Sequence, residues 1–596
     1  MKICKAQIWL GLFLSFYWGD VILQKFWAEE PHGSISQDLK EQNAPENHIS
    51  LASRKAWILA VVARQDETQP DKIPANFFWA SALFELNRDQ RACEVALKAL
   101  ETMAPDNTKN RWRFGGNSGF TVWPGMDCYI KYQHRFNEQL KKRYREIYTG
   151  GVFYPRLSTS NHKIMAAVTR YLATQVWGEK AFVADKIFSE KLASGNRFSK
   201  DDPSGEKYVR SIIESTMLNG PGEYASMPYG AHNILPLLTI AECAADDNLK
   251  ASARAAYEYS LSQLAPAWLA GHIGTFSPRS YPDALNQQPW GLAAVLWVYF
   301  GGVNPAESSI GNAIMAATSN FYPSEWIIQA ATDRSKAYVY RAFINGWCLY
   351  HYITPSYAMF SRSAKAGGKP FSGQSYPCGL KWVDTNLKHT SQFWVTCPAK
   401  DSKEGTAGLH THGVNSHAQE LQFKNAMLYV FNIPSSQSFP YALAYIPGGW
   451  LAMDDSASKD GRILLHYKSV VISIQASQPF SWEAKAGIKY PATPPREGDS
   501  EFRIMALRSA VAVEARLPSE LEGSSPEHRL KNFRTKLEAG AKLEVLEKED
   551  GLVARYTSGE GHLLECGFGG EDHINGQKVD YAKWPQHESP WKHELR

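Results

Sequence analysis

Two short stretches hold side chains whose types and spacing could do chemistry. The first is "STSNHKIMAAVTRYL", Ser158 to Leu172, and the second "GEYASMPYGAHNILPLL", Gly222 to Leu238. In the first, Ile164, Met165, Val168, Tyr171 and Leu172 recur at helical spacing, and Ser158, Thr159 and Ser160 suit an N-cap. Asn161 and His162 then fall on the first turn of a helix. They either cap it or join the free N–H groups and positive dipole end there as an anion site. In the second stretch a loop enters an aliphatic helix, with Tyr229 and His232 three residues apart and so on one face. A Tyr and a His placed together either transfer protons or pack, with the hydroxyl hydrogen-bonded.

Two further clusters could complete a site. The segment "GTFSPRSYPD" offers Arg279 and Tyr281 on a loop, a natural place for substrate contact, although Arg279 could equally pair with a neighbouring carboxylate. The segment "GLHTHGVNSHAQE" brings His410, His412 and His417 together. His410 and His412 have the spacing of same-face strand residues, which suits either a catalytic histidine or a structural zinc or calcium. No Asp or Cys at convincing spacing joins them, so the catalytic role is favoured and no cofactor is expected. Asp127, Glu223 and Asp283 sit in loops and are the carboxylates a glycoside hydrolase would need, but no recognisable spacing pairs them. The aromatic stretch around Trp123 suits stacking on sugar rings, in an enzyme or in a non-catalytic surface glycan-binding protein.

The elements that position these groups change character along the chain. From about residue 50 to 335 the apolar period is helical, as in "LASRKAWILAVVARQ", "RDQRACEVALKALETMA" and "CYIKYQHRFNEQLKKRYREIY", with aromatic loops such as "RWRFGGNSGFTVWPGMD" between. Beyond about 336 the period becomes two, as in "QELQFKNAMLYVFNIP" and "GRILLHYKSVVISIQA", with turns at "PGG", "SKDG" and "KEDG". The expected class is multidomain α+β: an N-terminal α/α toroid over 50–340, then an antiparallel β-sandwich over 341–596. There is no βαβ alternation and no Gly-rich phosphate loop.

Before the helices, Lys2 and Lys5 precede an apolar run from Ile8 to Trp18. That order reads as a signal peptide over 1–28 and a linker over 29–49, and predicts a secreted or periplasmic protein with no membrane span after processing. The chain has 596 residues, 21% charged and 44% hydrophobic, with a net charge of +4, which is globular composition compatible with a polyanionic ligand. No basic run or motif points to nucleic acid. Of the 8 cysteines, Cys4 belongs to the leader. Most of the others read as buried thiols, with Cys378–Cys397 the most plausible disulfide.

The pair of stretches "SNHKIM…YL…Q" and "EYASMPYGAHNILPLL" resembles the heparinase II/III-like and oligoalginate-lyase superfamily of polysaccharide lyases. The resemblance rests on these two motifs and on the order of helices before sheets. It implies that Asn161 and His162 neutralise a uronate carboxylate, that Tyr229 transfers the proton, and that a histidine from the sheet region, His410 or His412, reaches the cleft. It also explains Glu223 within the tyrosine motif and makes an anionic polysaccharide or oligosaccharide the partner. The order "SMPY" departs from the more usual Ser-Pro, and the gap from His162 to Tyr229 is long. The chemistry suits the residue types. Removing the C5 proton of a uronate needs the carboxylate charge offset. Tyrosine has an unperturbed pKa of about 10, which a cation such as Arg279 would lower, so that phenolate acts as base and phenol protonates the leaving O4.

Overall fold

The computed structural model describes residues 50–103, 119–150, 159–178, 204–279, 290–366, 378–384, 389–398, 416–437, 440–455, 461–483, 498–548 and 551–591. Mixed α+β architecture follows the change of period. Thirteen α-helices lie among the described residues: α1 (Leu51–Thr68), α2 (Phe77–Glu85), α3 (Asp89–Thr102), α4 (Gly119–Tyr132), α5 (Glu138–Gly150), α6 (Ser160–Trp177), α7 (Glu206–Asn219), α8 (Gly230–Cys243), α9 (Asp247–Leu264), α10 (Leu292–Phe300), α11 (Gly311–Ala317), α12 (Glu325–Thr332) and α13 (Pro526–Gly540). Several start as the sequence dictates. Ser50 accepts from Ser53 N at α1, and Asp246 accepts from Leu249 N at α9. None is long and apolar enough to cross a membrane among the described residues.

A short antiparallel hairpin, β1 (Trp268–Leu269) and β2 (His272–Ile273), interrupts the helices. The strands that follow are β3 (Tyr338–Ile344), β4 (Trp347–Ile353), β5 (Tyr357–Ser363), β6 (Gly379–Asp384), β7 (His389–Thr396), β8 (Ala418–Phe423), β9 (Ala426–Asn432), β10 (Ala442–Ile446), β11 (Ala452–Asp454), β12 (Arg462–His466), β13 (Val471–Ala476), β14 (Ser481–Glu483), β15 (Ser500–Ile504), β16 (Arg508–Arg516), β17 (Lys542–Lys548), β18 (Gly551–Thr557), β19 (Leu563–Gly567), β20 (Asp572–Ile574), β21 (Gln577–Lys578) and β22 (His587–Glu588). They form three antiparallel sheets: nine strands in the order β14-β15-β10-β7-β6-β5-β4-β3-β22, six in the order β11-β12-β13-β16-β9-β8, and five in the order β17 to β21.

Strand alternation assigns each face to a different core. Ala358 and Phe360 of β5 join the core of the helices, whereas Tyr357 and Met359 join a second core shared with the six-stranded sheet. In β9, Met427, Tyr429 and Phe431 face that second core, and Leu428 and Val430 face a third, shared with the five-stranded sheet. A strand buried on both faces has no polar side to show, which is why "AMLYVF" is a continuous apolar run. Leu530, Phe533 and Leu537 of α13 cover Leu464 and Val471 on the six-stranded sheet.

The structure corrects several expectations. The aromatic stretch read as a loop contributes its later part, from Gly119, to α4, with Pro124 inside that helix. The long helix expected from Cys128 to Tyr148 breaks after Tyr132 into a 3₁₀ turn, and Asn137 accepts from Leu140 N at the start of α5. Helix α13 lies in the half read as purely β. No disulfide joins Cys378 and Cys397; the cysteines among the described residues are buried thiols. Register explains this. Gly379 pairs with Trp394, so the two cysteines are diagonal neighbours, about 7–8 Å apart and beyond disulfide reach.

Candidate functional site

Helices α4, α6 and α8 pack on one another, and their first turns meet around one ring. The centroid of Phe120 on α4 lies 5.3 Å from His162 on α6, 4.6 Å from His232 on α8 and 6.3 Å from Tyr229, with both imidazoles nearly perpendicular to it. The structure thus brings Asn161, His162, Tyr229 and His232 to one end of the helical region. Three helix N-termini direct their positive ends there.

Asn161 is wholly buried. Thr159 is the N-cap residue, yet no side chain caps the helix. Instead the Thr159 hydroxyl donates to Asn161 Oδ1, and Asn161 Nδ2 has no hydrogen-bond partner. Capping is therefore not what this side chain does. A buried amide left unsatisfied costs about 1–3 kcal/mol, a cost that a ligand acceptor at that position would remove. Ser160 Oγ is likewise unsatisfied, and Gly222 lies so close that a Cβ there would stand 2.6 Å from it.

The loop before α8 forms a closed circuit with Arg279. The Arg279 guanidinium lies over the Tyr229 ring, 4.1 Å from its centroid, and Nη1 donates to Glu223 Oε1 at 2.6 Å. Asn233 Nδ2 donates to Glu223 Oε2 at 3.2 Å and to the Tyr229 carbonyl at 3.0 Å. Arg279 thus pairs with a neighbouring carboxylate, and it also lies on the tyrosine. Burial pushes the Glu223 carboxyl up, against the opposing pull of Arg279 and Asn233. The loop that presents Glu223 is strained, because Glu223 (φ +46°) and Ala225 (φ +52°) both occupy the left-handed region. That costs about 1 kcal/mol or more each and is held by anchors outside the loop. Tyr224 Oη donates to the Gln263 carbonyl at 3.0 Å, and Leu292 N donates to the Met227 carbonyl at 3.0 Å.

Electrostatics fix the charge state of His232. Burial, with a further contribution from the charge of His162, lowers the His232 pKa to about 3. His232 is therefore a neutral imidazole, and its Nδ1 is buried without a hydrogen-bond partner. It can accept or donate a proton within a cycle, but it is no standing counter-charge for an anion.

Other predicted residues fall elsewhere. Trp123 is wholly buried and packs edge-on against Phe78 at 5.9 Å, so it cannot stack on a sugar. One helical turn earlier, Phe120 is the aromatic that reaches the site. Asp127 lies two turns into α4, buried and paired with Lys131 at 3.1 Å; Lys131 also pairs with Glu242 at 2.6 Å, at the far end of α8. A cavity of about 410 Å³ lies there, lined by Glu85, Lys131, Tyr132, Glu242, Arg254 and Phe321 among others. Tyr281, Asp283, His410 and His412 lie outside the described residues. Among the described residues no three His, Cys, Asp or Glu side chains gather as a metal site requires.

Sequence reasoning missed Phe120 and Asn233. Asn233 sits four residues after Tyr229, a spacing that puts it beneath the tyrosine. Phe120 was hidden in an aromatic stretch with no visible periodicity.

No protein-family model matches the sequence, and no curated protein matches it. Among solved structures, the chain is similar to the crystal structure of Ara127N-Se, a GH127 β-L-arabinofuranosidase from Geobacillus stearothermophilus T6. The identity is 9%, the match covers 91% of this chain and 95% of that one, and the TM-score is 0.23.

Proposed function

We propose that this chain is a carbohydrate-active enzyme, and more narrowly an exported polysaccharide lyase that cleaves uronate-containing glycans by β-elimination. In this reading the helices form an α/α toroid with the site at one mouth, and the large sheets form a β-sandwich beside it. The observation that carries the reading is the buried, unsatisfied Asn161 Nδ2 at the meeting of three helix N-termini, within the same cluster as His162 and Tyr229.

The substrate carboxylate accepts from Asn161 Nδ2 and His162, and the helix ends favour the negative charge that grows on it. Tyr229, as phenolate, takes the C5 proton. The electron pair left on C5 forms the C4–C5 double bond as the C4–O4 bond breaks. O4 then leaves with a proton from the Tyr229 phenol, or from a histidine when base and acid stand on opposite faces. Arg279, lying on the Tyr229 ring, favours the anionic form of that side chain. In this reading Glu223 holds Arg279 in place, with its two oxygens engaged by Arg279 and Asn233.

The test is a panel of uronate polysaccharides incubated with the purified protein. Ultraviolet absorbance of the 4,5-unsaturated uronate and reducing ends are followed in parallel. Both should rise together. Reducing ends without absorbance mean hydrolysis and sink the elimination reading.

A further inference from the structure

The segment that delivers Arg279 to Tyr229 leaves β2 at Ile273 and runs across the face of the nine-stranded sheet that looks toward the helices. Four residues of that face grip it in succession. Lys381 Nζ of β6 donates to the Ile273 carbonyl at 3.0 Å. Gly274 lies against Ala358 of β5, where a Cβ would stand 2.6 Å away. The Thr275 hydroxyl and His351 Nε2 of β4 share a hydrogen bond of 2.5 Å. The Arg362 guanidinium of β5 lies 4.1 Å from the Phe276 ring centroid and 5.2 Å from that of Trp347. Register shows that these are one surface: Ala358 pairs with Lys381 and His351 with Phe360, while Arg362 shares the parity of Ala358 and Phe360 on β5.

Arg362 is the unexpected member. It is 1% exposed, and a buried guanidinium is a costly way to fill space that Met or Leu would fill. Burial disfavours its charge, which the buried Cys378 and the buried Glu420 of β8 favour. What an aliphatic side chain cannot supply is a flat, charged plate that fixes an aromatic ring by its face. Phe276 is fixed in this way three residues before Arg279. In the next turn Ser277 Oγ donates to the Arg279 carbonyl at 2.9 Å.

We propose that Arg362 is a positioning residue for the reaction: it clamps Phe276 and so holds the loop that sets Arg279 on Tyr229. The inference rests on the lyase reading for its catalytic consequence, but the clamp itself can be read without turnover.

The experiment compares wild type, Arg362→Met and Arg362→Lys in the full chain, each assayed for hydrogen exchange in the peptide spanning residues 272–279 and for kcat and KM on the best uronate substrate. Arg362→Met should exchange faster in that peptide and lose about a hundredfold in kcat, the usual penalty for a small misplacement, with KM little changed. Arg362→Lys keeps the charge beside Glu420 but not the plate. It should recover thermal stability without recovering loop protection or kcat, a split that a merely structural role would not produce. Unchanged exchange in Arg362→Met, or full recovery of kcat in Arg362→Lys, overturns the proposal. If wild type turns over no uronate glycan, the catalytic reading fails and exchange decides alone: faster exchange in Arg362→Met upholds the clamp, and unchanged exchange overturns it.

Discussion

The two ends of α4 and α8 are built from similar materials and treat them in opposite ways. At the far end, buried charge is matched. Lys131 lies between Asp127 and Glu242, and Glu242 also accepts from Ser319 Oγ at 2.6 Å and Asn320 N at 2.9 Å. Burial pulls the Lys131 ammonium down, but the two carboxylates outweigh it and hold it well above its usual range. At the near end Asn161 Nδ2, His232 Nδ1 and Ser160 Oγ are buried without hydrogen-bond partners, and the loop beside them is strained. Paired charge holds a fold together. A buried polar atom with neither hydrogen bond nor counter-charge stores cost that a ligand relieves. A cavity lies at the charge-paired end, where Lys131 Nζ and Glu242 Oε2 meet as an ion pair at 2.6 Å without an aligned hydrogen bond.

The sharpest way to break this contrast is Tyr229→Phe. Turnover should fall about a thousandfold, within the span general acid–base catalysis supplies, while the melting temperature stays put. Activity near that of wild type ends the assignment of Tyr229. The mirror experiment at the other end is Lys131→Met, which strands two buried carboxylates. Denaturant unfolding should show a loss of about 3–5 kcal/mol, and the folded fraction should keep its kcat. A large kcat loss with little change in stability would move the site to that end.

Asn161→Ala probes the orphaned amide. Its Oδ1 accepts one bond and its Nδ2 makes none, so stability should fall by about 1 kcal/mol while kcat drops about a hundredfold. Melting without a specific kcat defect would restore a structural role to Asn161. The remaining effect concerns pH. His351 and His232 are both lowered by burial to about 3. Both remain neutral in the folded chain, while the unfolded chain takes up protons below about pH 6.5. Stability should therefore be flat above that value and fall on acidification toward pH 3. The slope is up to about 1.4 kcal/mol per pH unit for each histidine. His351→Gln should remove about half of that slope and leave the His232 share, as thermal scans from pH 7 to 4 would show.

Much of this was legible in the sequence, and the exceptions have physical causes. The change from helical to period-two patterning marks where helices give way to strands, because each strand alternates between two cores. The placement of Asn161 and His162 on a first turn followed from three potential N-cap residues before them. The partner of Arg279 was not legible, since Glu223 lies 56 positions earlier, and α8, α9 and the β1–β2 hairpin between them fold back by tertiary contacts that no local pattern encodes. Phe120 escaped because Pro124 and the glycines before it argue against a helix, and the packing of α4 against α6 and α8 overrides that preference. The diagonal offset of Cys378 and Cys397 is a matter of register, which spacing along the chain does not reveal.

The nine-stranded sheet has one more implication, for biogenesis. Its edge strand β22 pairs with β3 through residues as far apart as Arg341 and Glu588. The residues gathered around Phe120 leave the ribosome before the strands of that sheet. The sheet face that grips the Arg279 loop follows roughly 100 residues later, and the strand that closes its edge later still. At about 5–20 residues per second, the helical region waits many seconds with the apolar patch destined for Ala358, Phe360 and Trp394 uncovered. The cluster around Phe120 is thus made well before the sheet that completes its surroundings. A nascent chain of this protein should depend on chaperones most heavily in that interval.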